Sequence, residues 1–111
     1  ALTAEQKAVF DERMAQIDTT YPPANLGDFV DHIDYAVNLI GIDHVGISSD
    51  FDGGGGVEGW MDASETGNVT LELVRRGYSE ADIAKIWSGN YMRVWEEAEA
   101  FAASMRAAPT N

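Results

Sequence analysis

Apolar residues recur at three- and four-residue spacing over most of this chain, and that rhythm predicts helices. Thr3-Ala4-Glu5-Gln6 has the form of a capping box, in which the Thr3 hydroxyl and the Gln6 side chain satisfy free backbone donors. Phe10, Met14, Ile17 and Tyr21 mark one face, and Pro22-Pro23 ends the helix. A second helix is expected from an Asp28 N-cap, with Phe29, Ile33, Val37 and Ile40 as its stripe. Gly41 stands where a helix end favours a left-handed residue.

Residues 42–49 break the rhythm. They hold β-branched Ile42, Val45 and Ile47 among small residues, with glycine on either side, and read as a strand. A lone strand cannot satisfy its own peptide groups. The only other stretch resembling one, residues 57–61, is weakened by glycine. The strand is therefore expected to pair with something outside these residues or with another copy. A long loop, residues 50–67, follows and contains Gly53-Gly54-Gly55-Gly56. Three helical segments then close the chain. One has Asn68 as expected cap and Gly77 as terminator. The next is capped at Ser79 with a stripe of Ile83, Ile86 and Trp87. Gly89-Asn90 reads as a break before the last, which carries Tyr91, Val94, Trp95, Ala98, Phe101, Ala102 and Met105 as a core or interface stripe.

The 111 residues allow one domain with a small core, since a compact chain of 12.1 kDa exposes roughly 6,000 Å². The net charge of −12 argues against nucleic acid and anionic membranes as partners. Without cysteine, no disulfide or thiolate metal site can form. No apolar run approaches the length of a membrane helix, and no signal-peptide pattern opens the chain.

Asp50-Phe51-Asp52-Gly53 stands directly after the expected strand. A carboxylate at the C-terminal end of a buried strand, followed by a glycine loop, is where α/β enzymes place their chemistry. An ordinary turn aspartate is the plain alternative, and Asp52 fits that role better. His32 and His44 are the only histidines and have no metal-site spacing. At strand geometry His44 lies roughly 20 Å from Asp50. Ser48 and Ser49 have no histidine near in sequence to act as base. An EF-hand is unmet at its final position, occupied by Met61, and no Lys-Ser/Thr follows the glycines to make a P-loop.

The run Ile42-Asp43-His44-Val45-Gly46-Ile47-Ser48-Ser49-Asp50-Phe51-Asp52-Gly53 resembles the last-strand signature of the membrane (renal) dipeptidase family of zinc metallopeptidases. Asp31-His32-Ile33-Asp34-Tyr35 upstream resembles the helix before that strand. Leu73-Val74-Arg75-Arg76-Gly77-Tyr78-Ser79 and Gly89-Asn90-Tyr91-Met92-Arg93-Val94 downstream resemble the closing helices. The likeness runs from about residue 28 to residue 95. It implies an α/β fold, with residues 1–111 as the C-terminal segment of one (β/α)8 TIM barrel: its last helix–strand–helix unit plus closing helices. It implies two Zn2+ ions at the barrel mouth, a metal-bridging hydroxide that attacks a dipeptide, and Asp50 as the substrate-binding and acid–base residue. The family's zinc ligands lie on earlier strands, so none maps onto this chain, and His32 and His44 match non-ligand positions. The implied partners are a dipeptide, the N-terminal part of the barrel and a second copy in a homodimer. The implied setting is periplasmic, membrane-associated or extracellular, and the chain alone is expected to be inactive. Two other readings compete. Asp50 to Gly53 fits the short Asp-x-Asp-Gly motif of haloacid-dehalogenase-like phosphatases, though their later motifs are missing. A non-catalytic helical interaction domain would use the Trp87/Trp95 stripe to bind a partner.

Overall fold

The computed structural model describes residues 2–107. Helix α1, Ala4–Thr20, starts on the expected box: Gln6 N–H donates to the Thr3 hydroxyl (3.2 Å), and Thr3 N–H donates to Gln6 Oε1 (3.0 Å). It buries none of its residues, so Phe10, Met14 and Ile17 present an uncovered apolar face. Helix α2, Leu26–Ile40, starts three residues earlier than expected. Asn25 is its cap, accepting from Gly27 and Asp28 N–H, while the Asp28 carboxylate returns a bond to Asn25 N–H (2.9 Å). Asp28 is thus the reciprocal partner of the box rather than the cap. Gly41 ends α2 at φ 88°, its N–H donating to Val37 O (2.9 Å).

The expected strand forms no ladder. Ile42–His44 make a 3₁₀ turn, and residues 45–49 follow outside any regular element, Val45 having extended backbone (φ −109°, ψ 133°). No backbone hydrogen bond among the described residues involves positions 46–49. A strand needs a partner to become a sheet, and no neighbouring segment supplies one. Residues 57–60 make isolated bridges. Leu26 N–H donates to Glu58 O (2.8 Å) and Glu58 N–H to Ala24 O (3.1 Å), stitching the loop to the start of α2. Among the described residues the fold is mostly helical.

Helix α3, Thr66–Arg75, follows an Asp62-capped 3₁₀ turn, Ala63–Glu65. Asn68 is not its cap; the side chain donates to Gly59 O (2.9 Å) and ties down the loop. The helix ends in a Schellman motif at Gly77, where Tyr78 N–H donates to Leu73 O and Gly77 N–H to Val74 O. Ser79 caps α4, Glu80–Ala84, as expected. No break occurs at Gly89-Asn90: a π turn, Lys85–Gly89, leads straight into α5, Asn90–Ala107. No helix of the described residues is long and apolar enough to cross a membrane.

The core is small, as its size predicts: Val30, Ile33, Val45, Trp60, Val69, Leu73, Ile83 and Ile86. Its axis is the packing of α2 on α3, locked by Arg76. That guanidinium donates to Asp31 and Asp34 (2.6 Å each), to Glu72 (3.0 Å) and to Gly27 O (3.0 Å). Tyr78 O–H donates to Asp34 (2.6 Å). The radius of gyration is 20.8 Å, whereas a compact chain of this length has about 13 Å. The accessible surface of 8413 Å² likewise exceeds the compact expectation. Along α5, Tyr91, Trp95 and Phe101 are half exposed or more, and Tyr91, Val94, Trp95, Ala98 and Ala102 line an open groove of about 370 Å³.

The Arg76 cluster gives stability a defined pH window. Burial pushes the Asp34 carboxyl up, but the Tyr78 hydroxyl and the Arg76 guanidinium outweigh it and hold the group below its usual range. Its contribution is therefore present above pH 3.8 and drains away as the pH falls below that. Burial, with the bond to Asp34 second, pushes the Tyr78 phenol up to about 12. Its contribution is present below pH 10.0 and is lost as the pH rises toward about 12. Unfolding midpoints measured against pH should hold level between these limits. Tyr78→Phe should flatten the alkaline fall and, by removing the hydroxyl that helps hold the Asp34 carboxyl down, shrink the acid one as well; an unchanged alkaline limb would exclude Tyr78 as its source.

Candidate active site

Residues 45–49 are fixed at their start by the helices that follow them in sequence. The buried Asn90 side chain donates from Nδ2 to Ile42 O (2.7 Å) and Val45 O (2.8 Å), pinning both sides of the 3₁₀ turn. Arg93 donates to Asp43 O (2.8 Å), and Lys85 Nζ pairs with the Asp43 carboxylate (2.7 Å). The bonded ammonium of Lys85 holds that carboxyl below its ordinary range. Further along, Val45 belongs to the core and Ile47 packs against it.

Asp50 stands at the other end and is exposed. Its backbone is left-handed (φ 52°, ψ 34°), the one positive φ outside glycine among the described residues. Aspartate tolerates that region better than most side chains, at some cost. Gly53 N–H and Gly55 N–H both donate to Asp50 O (3.0 and 2.8 Å), closing a tight turn. Glycine is required at position 55, where backbone fills the space, and at position 53 a side chain would displace the Asp50 carboxylate. A Cβ on Gly53 would overlap the Asp50 carboxylate, and one on Gly55 would collide with the Ser49 carbonyl. The carboxylate makes no capping bond to the turn that follows and lies against Gly53.

Phe51, the next residue, turns inward. Its ring meets Trp60 edge-to-face at 5.4 Å, and Trp60 also receives Phe29 from α2 (5.1 Å) and Trp87 (6.2 Å). Trp60 is 3% exposed, and its Nε1–H donates to Thr66 Oγ1 (3.2 Å).

His32 lies on α2 as expected, whereas His44 closes the 3₁₀ turn and does not open a strand. His32 is exposed on α2, its Nδ1–H donating to Asp28 O (2.9 Å). It lines a groove of about 270 Å³ between α2 and residues 45–48, which brings it alongside Ser48. His44 sits at the opposite end, beside Lys85, Asn90 and Arg93. Among the described residues no group of three or more His, Cys, Asp or Glu forms a metal cluster, so these side chains do not by themselves make a zinc site. What the arrangement offers is a tight turn with two exposed carboxylates, Asp50 at its start and Asp52 within it, and a carboxylate there is suited to accepting and returning a proton.

Sequence reasoning missed Asn90, Arg93 and Trp60. An asparagine amid an apolar helix stripe, and a tryptophan in a glycine-rich loop, were the available signals. Both residue types demand a hydrogen-bond partner when buried.

Residues 7–109 match the model of the membrane dipeptidase family, peptidase family M19, and the chain belongs to that family. Dipeptidase aclJ of Aspergillus oryzae is 43% identical over 83 residues, covering 74% of this chain and 20% of that protein. Dipeptidase 3 of Rattus norvegicus is 34% identical over 77 residues, covering 68% of this chain and 16% of that protein. Among solved structures, the probable dipeptidase PvdM from Pseudomonas aeruginosa is 52% identical with a TM-score of 0.67, over 85% of this chain and 24% of that one. The chain spans about a fifth of the length of the curated relatives it matches first. Membership of this family displaces the phosphatase reading of residues 50–53.

The Asn90 clamp can be tested directly. Asn90→Ala leaves two carbonyls without donors and should cost about 1–3 kcal/mol in denaturant unfolding. Asn90→Asp should cost more, because an acceptor would then face two acceptors. Equal stability of all three proteins would show that the turn is held by something else.

Proposed function

We propose that this chain is the C-terminal segment of a zinc-dependent dipeptidase with a (β/α)8 barrel, and that Asp50 is its substrate-binding and acid–base residue. The observation that carries this is the exposed Asp50 carboxylate on a glycine-locked turn at the end of residues 45–49, inside the stretch matched to the dipeptidase family. The unpaired peptide groups of residues 46–49 support a barrel strand whose neighbours are other strands, and the uncovered faces of α1 and α5 support packing against further chain. Zinc, held by residues outside these, would supply polarisation of the scissile carbonyl.

Asp50 accounts for the proton. Its oxygens can accept a hydrogen bond from the dipeptide's free ammonium, which fixes the substrate's orientation. The same carboxylate can take a proton from the attacking water and hand it to the departing amine, so one residue serves both halves of the hydrolysis. An exposed, rigidly seated aspartate is suited to this because it alternates between acceptor and donor without moving its backbone.

In the complete zinc-loaded enzyme, Asp50→Asn should keep zinc content and lower kcat for a dipeptide by roughly 10²-fold or more. Unchanged turnover would remove Asp50 from the chemistry. The 111-residue chain alone, given zinc and a dipeptide, should show no turnover; measurable hydrolysis would contradict a segment that lacks its metal ligands.

A further inference from the structure

Asp50 has no side-chain bond to the turn that follows it, yet its backbone occupies a costly region. Something must hold that conformation. The backbone bonds from Gly53 and Gly55 close the turn on itself and do not tie it to the helices around it. The one large side chain directly bonded to Asp50 that enters the core is Phe51.

We propose that Trp60 is a positioning residue for Asp50, acting through its edge-to-face contact with Phe51; this rests on the dipeptidase reading of Asp50. Trp60 is suited to act as a fixed stop. Phe29 and Trp87 pack on it from two different helical regions, and its indole N–H is bonded to Thr66. Its own backbone is closed by mutual bonds with Val57 (2.8 and 3.3 Å) and stitched to α2 through Glu58. The ring of Phe51 therefore meets a surface that cannot retreat. Because Phe51 follows Asp50 directly, seating the ring fixes the tilt of the turn and with it the direction of the carboxylate. Loss of the stop lets the turn relax out of its left-handed conformation, and the carboxylate moves while the rest of the mouth stays in place.

A purely structural Trp60 would lower stability alone, so the test is a double-mutant cycle in the complete zinc-loaded dipeptidase containing this segment. Trp60→Leu, Phe51→Leu and Trp60→Phe are each made with Asp50 intact and with Asp50→Asn, and kcat, zinc content and thermal midpoint are measured. With Asp50 intact, the two leucine variants should lower kcat roughly tenfold or more, the scale on which a displaced group loses rate. Trp60→Phe, which keeps an aromatic stop, should recover most of it. With Asp50→Asn the same changes should cost less than about twofold, because the group they position is gone. Equal losses in both backgrounds would overturn the proposal while leaving Asp50 catalytic. Full turnover by Asp50→Asn itself would sink the Asp50 reading and this inference with it. If Trp60→Leu fails to fold, the Phe51→Leu cycle gives the same answer.

Discussion

Everything in this chain is arranged around an extended segment that cannot hydrogen-bond itself. Residues 46–49 leave their peptide groups without backbone partners. Such groups need water or neighbouring strands, and burying them bare would cost several kcal/mol in total. Contacts from the flanking helices fix where the segment begins. Gly41 turns the chain out of α2, Asn90 pins the 3₁₀ turn, and Val45 anchors the start of the segment in the core. A Cβ on Gly46 would stand in ordinary contact with the Ile86 carbonyl. The helical part thus works as a scaffold that presents an extended edge and, at its far end, a carboxylate.

What was legible in the sequence was local. Thr3 with Gln6, Ser79, Gly41 and Gly77 were readable because a cap or a left-handed terminus involves residues within one turn of each other. Asp28 misled because Asn25 and Asp28 are both good caps three residues apart, and only the reciprocal geometry decides which is first. Gly89-Asn90 misled for a different reason. Glycine in a helix costs about 1 kcal/mol, which argues for a break. Here the Ala84 carbonyl lies where a Cβ on Gly89 would press against it, and the two bonds of Asn90 to Ile42 and Val45 outweigh the helix penalty. Contacts of that range leave no short-period mark. The same holds for Arg76, whose partners Asp31 and Asp34 lie on a different helix.

The turn that carries Asp50 was legible in position, and what supports it was not. A carboxylate after an apolar, β-branched run, followed by four glycines, marked Asp50 from residue types alone. The run of glycines reads as flexibility, yet Gly53 and Gly55 are there because backbone and carboxylate occupy the space a side chain would need. Flexibility in the unfolded chain is turned into a tight turn in the folded one, and that loss of freedom is itself a cost.

That cost shows why the aromatic cluster matters. Holding aspartate left-handed costs roughly 1–2 kcal/mol, and ordering a glycine turn adds to it. An edge-to-face aromatic contact contributes about 0.5–1.5 kcal/mol beyond the area it buries, and Trp60 makes three, one of them with Phe51. Backbone bonds alone, at about 1 kcal/mol each net of water, would leave the turn near balance between its seated and relaxed forms. Burial of the Phe51 ring tips that balance, because the apolar area it removes from water is lost if the turn relaxes. The position of one exposed carboxylate is therefore set by the buried Trp60 ring and the half-buried Phe51 ring that leans on it.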